Sequence, residues 1–301
     1  MGGVFRALLV GATGLALAGA VSPVAVSDGA AGGEGRLAFS RCFDRGVSYA
    51  CGAQLYVMNA DGTAARRLTR ARSADDRDPD WSPDGRRIAF WREARVGTQP
   101  APGSRPAIWV INADGSGARL LTRGRWPAWS PDGKTIAYQR DGIFLIAANG
   151  TRLRRLTSRG GEPSWSPDGA RIAYTNFNGR HTEIRVMDAD GTNLRVLTPR
   201  GMSASGAVWA PDGQMIVFQT YAGQFVVPAE GGRARRFMPV VTLELYALDD
   251  LTWSPDARTI AFIDWTGEAH EIYRINTDGA GLRRLTRTRV AEYGVDWSPA
   301  S

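Results

Sequence analysis

One five-residue phrase, Trp-Ser-Pro-Asp-Gly or a near copy, recurs at Trp81, Trp129, Trp165, Trp209, Trp253 and Trp297. The spacings are 48, 36, 44, 44 and 44 residues, the period of a propeller blade and far from that of a helical repeat. Six of the ten tryptophans occupy this one repeat position. Each phrase leads into an apolar, β-branched run: RRIAFW, KTIAYQ, RIAYTN, MIVFQT and TIAFID. A second such run follows after a loop of variable length: AIWVINA, GIFLIAA, EIRVMDA, GQFVVPA and EIYRINT. An Asp-Gly, Asn-Gly or Gly-Gly turn then opens, in most copies, onto a strand of the form RRLT. Runs of this composition between Gly and Pro turns read as strands. Nothing after the N-terminal segment has helical periodicity.

The turns carry their own mechanism. In Ser-Pro-Asp-Gly, proline presets the backbone at the second position, Ser and Asp side chains bond back to the turn, and glycine accepts the left-handed geometry that follows. The N-terminal part supplies RLAFS at 36–40, QLYVMNA at 54–60 and RRLT at 66–69 with no Trp phrase before them; the C-terminus supplies VDWSP at 295–299 with nothing after it. The two ends together make one blade. The expected fold is all-β: a six-bladed β-propeller of four-stranded antiparallel blades, closed by pairing of the N- and C-terminal strands, over residues 36–301.

These residues resemble the TolB-type propeller family, whose repeat reads much like WSPDGxxIAF…IYVMNxDGxxxRRLT. The resemblance spans residues 36 to 299. It implies the propeller part alone, without the α/β domain that precedes the propeller in TolB itself.

Arg6 followed by the apolar stretch Ala7–Val21, ending in Ala18-Gly19-Ala20, reads as a signal peptide over 1–20, with a flexible linker over 21–35. No membrane span is expected after cleavage, and the expected location is secreted, periplasmic or extracellular. The two cysteines, Cys42 and Cys51, would in such a compartment form a disulfide closing a hairpin tip. The net charge of +7 raises a nucleic-acid partner. The arginines instead recur once per repeat (Arg66-Arg67, Arg119, Arg154-Arg155, Arg195, Arg235-Arg236, Arg283-Arg284), as a charged outer edge that resists sheet-to-sheet association. No nucleic acid is expected.

Propeller geometry puts the stereotyped turns on one face and the variable loops on the other, here called the top, where binding usually lives. Binding candidates from those loops are Trp91, Arg125, Trp126, His181, Tyr246, Trp265, His270, Arg289 and Tyr293, a rim suited to a protein or peptide and also to a glycan. The competing reading is that several of these rings pack between blades. Acidic residues ahead of the motif tryptophans (Asp78, Asp80, Glu162, Asp250, Asp296) point toward the channel, either to hold a cation or to satisfy neighbouring backbone and arginine groups.

Asp-Ala-Asp-Gly at 188–191 lacks the acids of a calcium loop, having Val186 and Leu197 where an EF-hand needs them. No G-x-S-x-G element occurs; GMSAS at 201–205 lacks the second glycine. The expected function is therefore a monomeric, non-catalytic binding module without a cofactor. The alternative is a metal-dependent hydrolase or lyase acting on a carbohydrate or lactone, with His181, His270, Glu183, Glu268 and Glu271 as candidate ligands.

Overall fold

The computed structural model describes residues 35–42, 52–97, 99–179, 181–199, 201–237, 248–264 and 270–299. The expected signal and linker, Cys51, Tyr246 and Trp265 lie outside them. Among the described residues there is no helix, and none therefore long and apolar enough to cross a membrane.

Six antiparallel sheets form the ring. Blade one holds β1 (Arg36–Cys42), β2 (Ala53–Asn59) and β3 (Arg66–Arg67). Blade two holds β4 (Ala74–Trp81), β5 (Arg87–Val96), β7 (Ala107–Asn112) and β8 (Arg119–Arg123), with β6 (Gln99–Pro100) paired to the tip of β5. Blade three runs through β9 (Arg125–Trp129), β10 (Thr135–Gln139), β11 (Ile143–Ala147) and β12 (Arg154–Arg155). Blade four has β13 (Gly161–Trp165), β14 (Arg171–Phe177), β15 (Thr182–Asp188) and β16 (Arg195–Val196). Blade five has β17 (Ala204–Trp209), β18 (Met215–Thr220), β19 (Gly223–Pro228) and β20 (Arg235–Arg236). Blade six has β21 (Leu248–Trp253), β22 (Thr259–Asp264), β23 (Glu271–Asn276) and β24 (Arg283–Arg284). The last strand, β25 (Glu292–Trp297), returns to pair with β1 and completes blade one in the order β25-β1-β2-β3.

The second strand of each blade is apolar throughout because both its faces are covered. Alternate residues of β5 go opposite ways: Ile88 and Phe90 pack with blade one, Ala89 and Trp91 with blade three. Similar clusters fill the other seams, down to Leu37, Phe39, Ile263, Ile272, Val295 and Trp297 between blades six and one. Each motif turn is tied by its own side chains. Ser82 donates to Asp84 at 2.5 Å and accepts the Arg87 N–H at 2.9 Å, and Ser130, Ser166 and Ser254 repeat the bond to their Asp. Ala257 replaces the turn glycine of blade six and takes the left-handed φ of 59° that glycine adopts elsewhere.

The repeated arginines do more than charge an edge. Arg66 donates to the Ala113 carbonyl (2.7 Å), Arg119 to Ala148, Arg154 to Asp190 and Arg195 to Ala229 (2.8 Å). Each guanidinium thus reaches from the outer strand of one blade to the turn of the next. Arg36, Arg87 and Arg171 stack over the motif tryptophan of the following blade, at 4.8, 4.7 and 4.9 Å from Trp81, Trp129 and Trp209.

Candidate functional site

The six inner strands, β4, β9, β13, β17, β21 and β25, line one cavity of about 720 Å³ along the channel, within the size range of ligand pockets. Its lining runs from Asp75 and Pro100 at the top to Pro131 in a bottom turn. Each inner strand is irregular at one place. The residue three before the motif tryptophan has a left-handed backbone in every blade: Asp78 (φ 49°), Trp126 (50°), Glu162 (52°), Gly206 (61°), Asp250 (56°) and Gly294 (53°). The ladder slips beside each of them, so one extra residue bulges out of each inner strand. Glycine takes this geometry freely, whereas three acids and a tryptophan hold it at a cost of roughly 1–3 kcal/mol each. All six line the cavity.

The bulges give the channel acids their partners. Glu162 accepts the Thr175 hydroxyl (2.6 Å) and the Gly206 N–H of the next blade (2.9 Å). Asp250 accepts the Gly294 N–H (2.7 Å), again one blade on. Asp78 accepts the Trp91 indole N–H. Deeper in, Asp80 accepts the backbone N–H of Trp129 (2.6 Å), and Asp296 accepts that of Trp81 (2.7 Å) and the Thr252 hydroxyl (3.1 Å). Burial pushes the Asp296 carboxyl up to about 6. Burial and the nearby Asp296 charge raise Asp80 well above the carboxylate range. Four of these five acids thereby tie one blade to the next, while Asp78 bonds within blade two.

A cationic and aromatic arc covers blades one to three. Arg125 donates to Glu93 (3.0 Å) and lies 5.1 Å over the Trp91 ring. Arg77 lies 4.6 Å over Tyr293 and 3.7 Å from Asp75, which Arg95 also approaches at 3.3 Å. Burial raises Asp75 against the pull of those two arginines. The half-buried Trp126 ring sits over Gly161 of blade four, where an added Cβ would come within 2.8 Å of it.

Sequence comparison places the middle of the chain: the TolB β-propeller domain family matches residues 101–227. That stretch of the chain is similar to the TolB β-propeller repeat. TolB from Acinetobacter baumannii superposes with a TM-score of 0.71 at 20% identity, over 88% of this chain and 67% of that one. A chain of a nidogen–laminin complex gives 0.68 at 13%, over 87% and 97%. The putative TolB of Agrobacterium tumefaciens gives 0.64 at 18%, over 89% and 99%. At such identities the likeness to these structures is one of fold. No curated protein matches the chain in sequence.

In this propeller, Trp91, Arg125, Trp126, Tyr293 and all five channel acids line the channel cavity. Trp91 belongs to both sequence readings, since its ring packs in the seam between blades two and three while its N–H turns to the channel. His181 is exposed on blade four and Arg289 is exposed after β24, both away from the cavity lining. His270 packs edge-on against Tyr293 at 5.4 Å, at the seam of blades six and one. Among the described residues no three His, Cys, Asp or Glu side chains gather as a metal site. Buried Glu292 closes the same seam: Arg41 donates to it at 2.8 and 2.6 Å, yet burial and nearby Glu271 push its carboxyl up to about 7. Asp75, Arg77, Glu93, Gln219 and Gln224 also line the cavity and were not singled out from the sequence.

Proposed function

We propose that this propeller is an exported, non-catalytic binding module that takes a protein or peptide segment at the mouth of its channel. The observation that carries the reading is Trp126: a bulky residue held at φ 50°, where few side chains are tolerated, with its ring in the wall of an open cavity. Strain of this kind persists where the surroundings enforce it, and it collects at binding sites. Arg125 and Trp91 beside it are the residue types that anchor protein interfaces. The occurrence of the fold in a nidogen–laminin complex fits a partner-binding role. Export is supported by the Ala7–Val21 stretch and its Ala-Gly-Ala end, and a Cys42–Cys51 disulfide belongs to the same proposal.

The test uses peptides selected from a random library on the intact protein. Trp126→Gly removes the ring and puts a conformationally tolerant residue at the strained position, so relief of strain offsets part of the packing lost over Gly161, and a melting curve checks that the variant stays folded. Affinity should fall at least about tenfold, roughly 1.4 kcal/mol, in this variant and in Arg125→Ala. Unchanged affinity in both folded variants would overturn the proposal.

A further inference from the structure

We propose that the channel receives a basic side chain of the bound segment, a guanidinium or an ammonium; this deepens the peptide-binding reading and rests on it. The chain as a whole is positive, at +7, yet four of its six blades put carboxylates into the cavity wall: Asp78 and Asp80, Glu162, Asp250, and Asp296. The guanidiniums in the described wall, Arg77 and Arg125, already lie against Asp75 and Glu93. Asp80 and Asp296, on adjacent blades, take their hydrogen bonds from backbone N–H groups and the Thr252 hydroxyl. Those neutral donors leave the carboxylate charge uncompensated when it forms.

A second observation points the same way. Gln224, only 9% exposed, also lines the cavity, and its Oε1 is buried with no hydrogen-bond partner among the described residues. A buried acceptor without a donor is costly, and a ligand N–H relieves it. The wall therefore offers acceptors in excess and asks for donors. The half-buried Trp126 ring adds a π-face, which favours a cation. A metal ion is the poorer occupant, because no three described carboxylate, histidine or cysteine side chains converge. A guanidinium spreads several N–H donors over such a wall.

The probe is a capped pentapeptide with a central arginine between alanines, compared with the same peptide carrying citrulline, the neutral isostere, or glutamate. Binding to the intact protein is read by calorimetry at low and high salt. The arginine peptide should bind at least about tenfold tighter than either control, and the margin should shrink as salt rises. Its affinity should also grow from about pH 5 to about pH 7.5, because Asp296, held near 6, must lose its proton to meet the cation. Asp250→Asn and Glu162→Gln keep an acceptor for the Gly294 and Gly206 amides and should each weaken the arginine peptide several-fold. Citrulline or glutamate binding as tightly as arginine, sensitive to Trp126→Gly, would overturn the inference and leave the site standing. Failure of all three peptides to bind, while library peptides bind in a Trp126-dependent manner, would overturn it as well. Library peptides indifferent to Trp126→Gly and Arg125→Ala would instead bring down the site itself.

Discussion

A chain lacking residues 293–301 is expected to show no cooperative thermal transition. Those residues are the bulk of β25, which is the inner strand of blade one although β1 to β3 come from the other end of the chain. Their loss strips β1 of the pairs Leu37↔Trp297, Ala38↔Asp296 and Phe39↔Val295. Val295 and Trp297 leave the core of the seam with blade six. Asp296 releases the Trp81 amide of blade two, and Ser298 releases the Arg36 amide. Emptying a tryptophan site alone costs about 3–5 kcal/mol, and a domain has only about 5–15 kcal/mol in total. Blade one is left with β1, β2 and β3 only, and the blades on both sides of it lose part of the surface they pack against. The check is a circular dichroism melt. A truncated protein that melts sharply within about 5 °C of the parent would contradict ring closure.

The second large effect concerns the bulges. Gly294→Ala is expected to destabilise the protein by about 3 kcal/mol or more, and Gly206→Ala by only about 1 kcal/mol. Both glycines have the same left-handed backbone, φ 53° and 61°, so the strain of adding a Cβ is common to the two. What differs is the space. At Gly294 the new Cβ meets the Asp78 backbone, 2.8 Å from Cα and 3.0 Å from N, whereas at Gly206 the nearest atoms belong to the Gln219 side chain at 3.5 Å. Backbone cannot step aside and a glutamine end can. Denaturant unfolding of the two variants reads the difference. Equal losses would mean that the inner strands are not held at these bulges.

The propeller was legible because its signals are local and repeated six times. Ser, Pro, Asp and Gly in Trp-Ser-Pro-Asp-Gly make their bonds within five residues of one another, so the turn can be read without knowing the rest of the chain. Ring closure was legible for a different reason: VDWSP at one end lacks what RLAFS at the other supplies. The arginine clasps were not. Arg66 and Arg154 find their carbonyls 47 and 36 residues away, and no local pattern announces such a partner.

The left-handed ring was hidden more deeply. Asp78, Trp126 and Glu162 each precede a proline, and a residue before proline is normally pushed to extended backbone. Only Gly206 and Gly294 carried a sign of positive φ. The prolines fit the bulge because an unpaired residue needs no N–H donor. Sequence marked the end of this strand, at Trp81 with Asp78 and Asp80 ahead of it, whereas β4 begins at Ala74, so Asp75 and Arg77 escaped notice as wall residues. The candidate site was thus half legible: its tryptophans, its acids and Arg125 were named, but not the backbone geometry that brings them to one wall.

Hydrogen exchange, followed with and without a saturating library-selected peptide, tests the binding site most directly. Exchange should slow in the bulged segments 75–80, 125–129, 162–165 and 292–296, with the turns at 113–116 and 189–192 unaffected. Protection confined to those bottom turns or to the outer arginine strands, with the channel wall exchanging as before, would contradict binding at the channel.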